Sequence, residues 1–390
     1  MANQTTRRTL LKGGLAAAGL GMFGWPELAL PALAQGEELV PFTDVPDEFG
    51  SGALGPTWRV LDIRTITGPL TSRDDFYTIQ HFDKPEIDPG AFSLKISGLV
   101  ERPAELSLAD LRGMGSDETV AGFECSGNSP RMIQGLASNG RWTGVRLRTV
   151  LEHVGLRDLA REVVFFGADH GEEMVDFRGQ THAVDQPFAR SMSRTDALGP
   201  DPLLAYALNG EPLTRDQGFP LRLVVPGWYG VSNVKWLTRI RAQQDRFLGK
   251  WQARWYRTLW AEEIDGEVSY HETEITRLRV KSVIARVTRA GGRHTVHGFV
   301  LHDGTPLQSV EVSVDGGAWQ PAALDAATAS DTYSWKLFRY DWDGATPGEH
   351  TLVSRATDAE GRVQPTAEEL EYKQTGLENH QQFPRTVSIA

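Results

Sequence analysis

The chain has 390 residues, a formal net charge of −11, 40% hydrophobic residues, eleven tryptophans and a single cysteine. Such acidity argues against nucleic acid or anionic lipid as partners and favours a cationic protein, such as a basic electron carrier. One thiol excludes an intramolecular disulfide, and this length and apolar content predict two domains with a large core.

The chain opens on TTRRTLLKGG, an apolar run to Leu30, and Ala32-Leu33-Ala34. Paired arginines, a moderately apolar core and an A-x-A-like site read as a twin-arginine export signal over residues 1–34. This predicts a periplasmic protein with no stable membrane span after cleavage, because the apolar run is too short to cross comfortably. The leader carries Arg7, Arg8 and Lys12 against Glu27, so its removal takes the charge from −11 to −13.

Residues 35–75 are rich in Pro and Gly and are expected to wrap the surface. AFSLKISGLV (91–100) alternates like a strand, and LSLADLRGM has a serine cap before helical spacing. VVFFGAD and LRLVVPG read as strands and RLRTVLEHVGL as a helix. With no repeat and no βαβ rhythm, a mixed α+β domain over residues 35–261 fits. From residue 262 the pattern changes to alternating segments punctuated by Asp-Gly and Gly-Gly pairs, with no helical period between about 275 and 372. Residues 262–390 therefore read as an immunoglobulin-like β-sandwich with a C-terminal tail.

The lone cysteine, Cys125, lies in GFECSGNSPR, where small polar residues let the backbone approach something closely. Packing, nucleophilic catalysis and metal or cofactor ligation all remain open for it on the residues alone. A thiol protease needs a histidine base, for which His81, His153 and His182 are candidates, but no nucleophile motif surrounds Cys125. Zinc lacks a ligand-spaced histidine pair, whereas a soft metal carried by an organic cofactor needs one thiolate only. The chain has no C-x-x-C-H motif and no cysteine set for an iron–sulfur cluster, so neither haem nor Fe–S is expected in it.

FECSGN, GRWTGVRLRTVL, DPLLAYALNGEPLTRDQGFPLRLVVPGWYGVSNVKWL and WQARWY, in that order, resemble the sulfite oxidase family of molybdopterin enzymes. The resemblance runs from about residue 70 to 375. It implies a molybdenum–molybdopterin cofactor, with Cys125 as the metal ligand through its soft thiolate. It further implies that Tyr77, His81, Asp169, Gln217, Arg222, Asn233 and Lys235 contact the pterin. Gln217 stands where many members have histidine. Arg222 offers a planar fork and Lys235 a compact charge for the pterin phosphate. Tyr256 aligns with the active-site tyrosine, whose phenol can donate to a substrate oxyanion. The sandwich is similar to the family's dimerisation domain, which implies a homodimer. Oxo transfer on a small oxyanion, sulfite by default, with electrons passed to a carrier such as a cytochrome c, is the implied activity. An S- or N-oxide reductase and a non-catalytic binding protein are the alternatives.

Two departures bear on the substrate. Ile79 occupies the arginine position of the family's F-[FY]-x-R-x-H segment, and Ser129-Pro130-Arg131 replaces an adjacent arginine pair. Each missing guanidinium removes a contact worth about 1.5–3 kcal/mol. Arg131 is the catalytic-site candidate to supply the charge, with Arg254 or Lys336 behind it.

Overall fold

The computed structural model describes Leu33, residues 36–45 and residues 58–390; the arginine pair and Ala34 lie outside the described residues. The chain is mostly strand, and its longest described helix, Leu147–Val154, has eight residues. This corrects the expected α+β balance toward β. The physical reason is visible in segments such as Glu162–Phe177, sixteen residues of continuous strand that the sequence reading had limited to VVFFGAD.

The expected short helices form where their signals stand. In the helix Leu108–Met114, Ser107 Oγ accepts from Asp110 N at 3.1 Å and the Asp110 carboxylate accepts from Ser107 N at 2.9 Å. Helix Leu147–Val154 buries Leu147, Val150, Leu151 and Val154 and stops at Gly155, whose φ of 70° suits glycine.

Two sheets build the first part of the chain. One runs Arg222–Val224, Leu203–Leu208, Ala137–Arg146, Asp117–Glu124, with the short strand Glu211–Pro212 beside Leu203–Leu208. The other runs Ala104–Ser107, Ser93–Gly98, Leu237–Gln243, Glu162–Phe177, Gln180–Ser193, and its pairing of Leu237–Gln243 with Ser93–Gly98 is parallel. At Gly98 an added Cβ would lie 2.0 Å from the Ala242 carbonyl oxygen, so this parallel pair needs a glycine there.

Two further sheets face each other as a sandwich. Lys281–Ala290, Arg293–Leu301 and Lys336–Trp342 form the centre of one, and Leu307–Val314, Gly348–Asp358 and Pro384–Ile389 the main part of the other. Ile284, Val287, Val296 and Val300 meet Val310, Val312, Leu352 and Val387 between them. The strand Glu37–Val40 belongs to this sandwich, pairing with Val287–Ala290, and Phe42 bridges to Val387. The expected surface wrap therefore begins as a sandwich strand, drawn in by the burial of Phe42.

The boundary near residue 262 falls inside the hairpin Arg257–Ile264 and Glu267–Glu274, which turns at Asp265-Gly266, both with positive φ. This hairpin and the outer half of the Glu162–Ser193 hairpin, residues 170–187, are ribbons largely exposed on both faces. Among the described residues no helix is long and apolar enough to cross a membrane.

Candidate active site

The strand Asp117–Glu124 pairs residue by residue with Ala137–Arg146 and delivers Cys125 at its end. Cys125 N donates to Leu136 O and Asn128 N to Cys125 O, both at 2.9 Å, so the thiol sits at the neck of a closed loop. Burial pushes this thiol up to about 11. A site that makes a thiolate here must supply a strong positive partner of its own.

Cys125 lines an open cavity together with Tyr77, His81, Asp169, Gln217, Arg222, Asn233, Lys235 and Tyr256. Nine of the ten candidate residues thus surround one space. Arg131 is the exception. It is exposed on the Pro130–Met132 turn, whose following residues Ile133 and Gln134 take positive φ and turn the chain inward while Arg131 faces out. Arg254 and Lys336 do not line the cavity either: Arg254 reaches Glu173 at 3.4 Å, and Lys336 is bound to Thr328 O at 2.6 Å within the sandwich. His153 and His182 also lie elsewhere, whereas Ile79 lines the cavity as expected.

Arg222 and Lys235 are the cavity's buried cations. Arg222 donates to Gln217 O and Asn233 O, each at 3.0 Å, and stacks over the Trp142 ring at 4.8 Å. Burial lowers it to about 10. Lys235 donates to Ile79 O at 3.1 Å and Asp216 O at 3.3 Å, and burial, then Arg222, lowers it to about 7. Neither makes an ion pair among the described residues, and Arg222 Nε is buried without a partner. Two converging desolvated cations held only by carbonyls are arranged to receive an anion such as a phosphate.

The other wall is finished by polar scaffolding. Asp169 sits in the irregular register between Phe166 and His170, and burial raises it to about 6 against the pull of Lys235. Its Oδ1 is buried and unpartnered. Asn233 spends its side chain on Val225 N (2.6 Å) and Tyr229 O (3.1 Å), and Gln217 on Thr214 N (3.0 Å) and Arg73 O (2.9 Å). These two shape loops that carry the backbone donors and Arg222. At Gly230 an added Cβ would lie 2.4 Å from the Tyr77 hydroxyl, so glycine keeps that wall open.

Tyr256 and His81 share a 2.8 Å hydrogen bond. Burial raises the Tyr256 phenol above its ordinary range, so it keeps its proton. Burial, then Lys235 and Lys250, lowers His81 to about 4, so the imidazole is neutral near pH 7. Its ring lies flat on Trp251 at 3.9 Å and 9°. Sequence reasoning missed Trp251, although it is the first residue of WQARWY. It also missed Asp216, which holds Arg59 at 2.7 Å and Lys84 at 2.6 Å on the cavity wall.

Cations for a phosphate, an orphaned carboxylate oxygen, a glycine-opened wall and a thiol in one cavity fit a molybdopterin carrying a soft-ligated metal. Comparison with known proteins agrees. Residues 81–251 match the oxidoreductase molybdopterin binding domain. Sulfite oxidase of Gallus gallus is 32% identical over 323 residues, covering 76% of this chain and 68% of that protein. The human mitochondrial sulfite oxidase is 31% identical over 322 residues, covering 57% of its length, so the chain spans little more than half of such relatives. In structure, the sulfane dehydrogenase SoxCD of Paracoccus pantotrophus aligns with a TM-score of 0.69 and 25% identity, over 85% of this chain and 86% of that one. The class is a molybdenum-dependent oxidoreductase, and the chain belongs to the sulfite oxidase family.

Proposed function

We propose that this protein oxidises a small reduced-sulfur species, sulfite by default, and passes the electrons to a separate carrier. The observation that carries the reading is the single cavity lined by Cys125, the Tyr256–His81 pair and the two buried cations. When bound, the molybdenum cofactor supplies two-electron oxygen-atom transfer. Cys125 would hold the metal, and Arg222 and Lys235 the pterin phosphate. Tyr256 holds its proton at the phenol oxygen, where it can donate to a substrate oxygen, and neutral His81 orients it. The twin-arginine leader supports export of the folded, loaded protein to the periplasm.

Carrier exchange is supported by the ribbons 170–187 and 257–274. Asp169 and Phe188 flank the first and Tyr256 precedes the second, and all three line the cavity. The ribbons carry net charges of about −3 and −5 by formal count, so a basic carrier would be steered to the rim.

A second reading has a specific observation behind it. Ile79 lines the cavity and Arg131 does not, which favours a sulfane sulfur that depends less on a guanidinium than sulfite does. Steady-state turnover of molybdenum-loaded protein with sulfite, thiosulfate and a persulfide, using a cytochrome c as acceptor, decides. Turnover with sulfite supports the first reading, and turnover confined to sulfane donors the second. Reduction of S- or N-oxides without any sulfur oxidation sinks both.

A further inference from the structure

Glu124, the residue before the only cysteine, is 2% exposed and makes its ion pair with a residue of the sandwich. Lys281, the first residue of the strand Lys281–Ala290, is 1% exposed. Its ammonium lies 2.5 Å from Glu124 Oε1 and 2.7 Å from Gln134 Oε1. These two side chains bracket the cysteine loop, one at its start and the other at its return. Between them Asn128 Nδ2 donates to Glu124 Oε1 at 3.1 Å and to Gln134 O at 2.9 Å, and Asn128 Oδ1 accepts from Leu136 N at 3.1 Å. The C-terminal segment adds a strap, with Glu378 N donating to Ser126 O at 2.7 Å.

A fully buried ion pair is a poor stabiliser, since desolvating both charges offsets most of their attraction, and an apolar pair of similar size serves stability as well or better. What such a pair does supply is a fixed, directional contact. Here it joins two parts of the fold at the residue adjacent to the metal ligand. We propose that Lys281 is a positioning residue for Cys125: through Glu124 and Gln134 the sandwich sets where the thiolate stands relative to the metal. The sandwich is then part of the metal site, beyond any role in assembly. This rests on Cys125 being the molybdenum ligand.

The test uses the full-length holoenzyme and reads the thiolate-to-metal charge-transfer absorption and the rate of molybdenum loss by elemental analysis. Lys281→Met should displace or weaken the band and speed metal loss about 10–100-fold, the usual effect of removing a group that orients a ligand. The paired variant Lys281→Met/Glu124→Gln removes the orphaned charge, so it should recover unfolding temperature while its band stays displaced. That keeps the test valid if the single variant folds poorly. Lys336→Met removes another buried lysine of the sandwich and should lower unfolding temperature without moving the band. A wild-type band and metal-loss rate in the paired variant would overturn the proposal. Absence of molybdenum from wild-type protein would instead overturn the ligand assignment beneath it.

Discussion

The Tyr256 hydroxyl lies 2.8 Å from His81 Nε2, and His81 lies face to face with Trp251, its ring 3.9 Å away. The phenol's direction is thus set by a ring that is itself clamped by stacking. Replacing Tyr256 with Phe should lower kcat/KM about 100-fold, the scale for deleting one donor to a developing oxyanion, with molybdenum content unchanged. Steady-state kinetics beside metal analysis checks this. A kcat/KM within threefold of wild type would remove Tyr256 from the chemistry.

Cys125→Ser should abolish nearly all turnover and leave cooperative unfolding intact. A hydroxyl is a harder and less readily ionised donor than a thiol, and the loop around it is held by backbone contacts that serine keeps. Activity assays and a thermal melt on the same preparation measure both parts.

Arg222→Ala and Lys235→Ala should weaken cofactor retention by about 1.5–3 kcal/mol, or roughly 10–150-fold, more than they slow turnover per bound molybdenum. Lys235, which burial and then Arg222 lower to about 7, also gives a pH dependence. Binding an anion favours the protonated amine, so cofactor affinity should fall as pH rises above about 7. Pterin fluorescence after gel filtration at several pH values reads this out, and an affinity that rises with pH contradicts it.

The substrate question reduces to two variants. Ile79 lines the cavity and Arg131 stands outside it, so Ile79→Arg should lower the KM for sulfite while Arg131→Ala changes it little. The effect on kcat should be smaller, since an added charge that holds ground and transition states alike acts on KM. Loss of sulfite binding in Arg131→Ala would reverse the assignment.

Acid should weaken the sandwich around His302. His302 accepts from Gly304 N at Nδ1 (3.2 Å) and faces Ser334 O with Nε2 (3.1 Å), which suits a neutral ring. Burial, then Lys336, lowers it to about 4 from an ordinary 6.5. The unfolded chain therefore takes up the proton first, and stability present above pH 6.5 is lost as pH falls toward 4. His302→Gln, which keeps a donor and an acceptor, should flatten the dependence of Tm on pH in that window.

Local chemistry was the legible part of this sequence. Ser107 announced its helix, and Gly291-Gly292 and Asp315-Gly316 adopt the positive φ angles that tight hairpins require. Nine of the ten candidate residues line one cavity, and they are reached through the family resemblance of short motifs, since the residue types alone leave the role of Cys125 open. What escaped was set by distance along the chain. Glu124 and Lys281 are 157 residues apart, and neither residue's neighbours hint at the other. The full length of Glu162–Phe177 escaped for a different reason, because its outer half is exposed on both faces and shows no apolar alternation to read.

The pairing of Glu37–Val40 with Val287–Ala290, and of Thr43 N with Thr386 O at 2.8 Å, has a bearing on biosynthesis. The ribosome releases the first of these segments some 250 residues before its partner strand and well over 300 before the strand Pro384–Ile389. The strand Glu37–Val40 must therefore wait unpaired until residues 287–290 have emerged, and the strap from Glu378 to the cysteine loop arrives later still. A chain cut short of residue 378 therefore lacks the strap on the cysteine loop as well as the strand Pro384–Ile389.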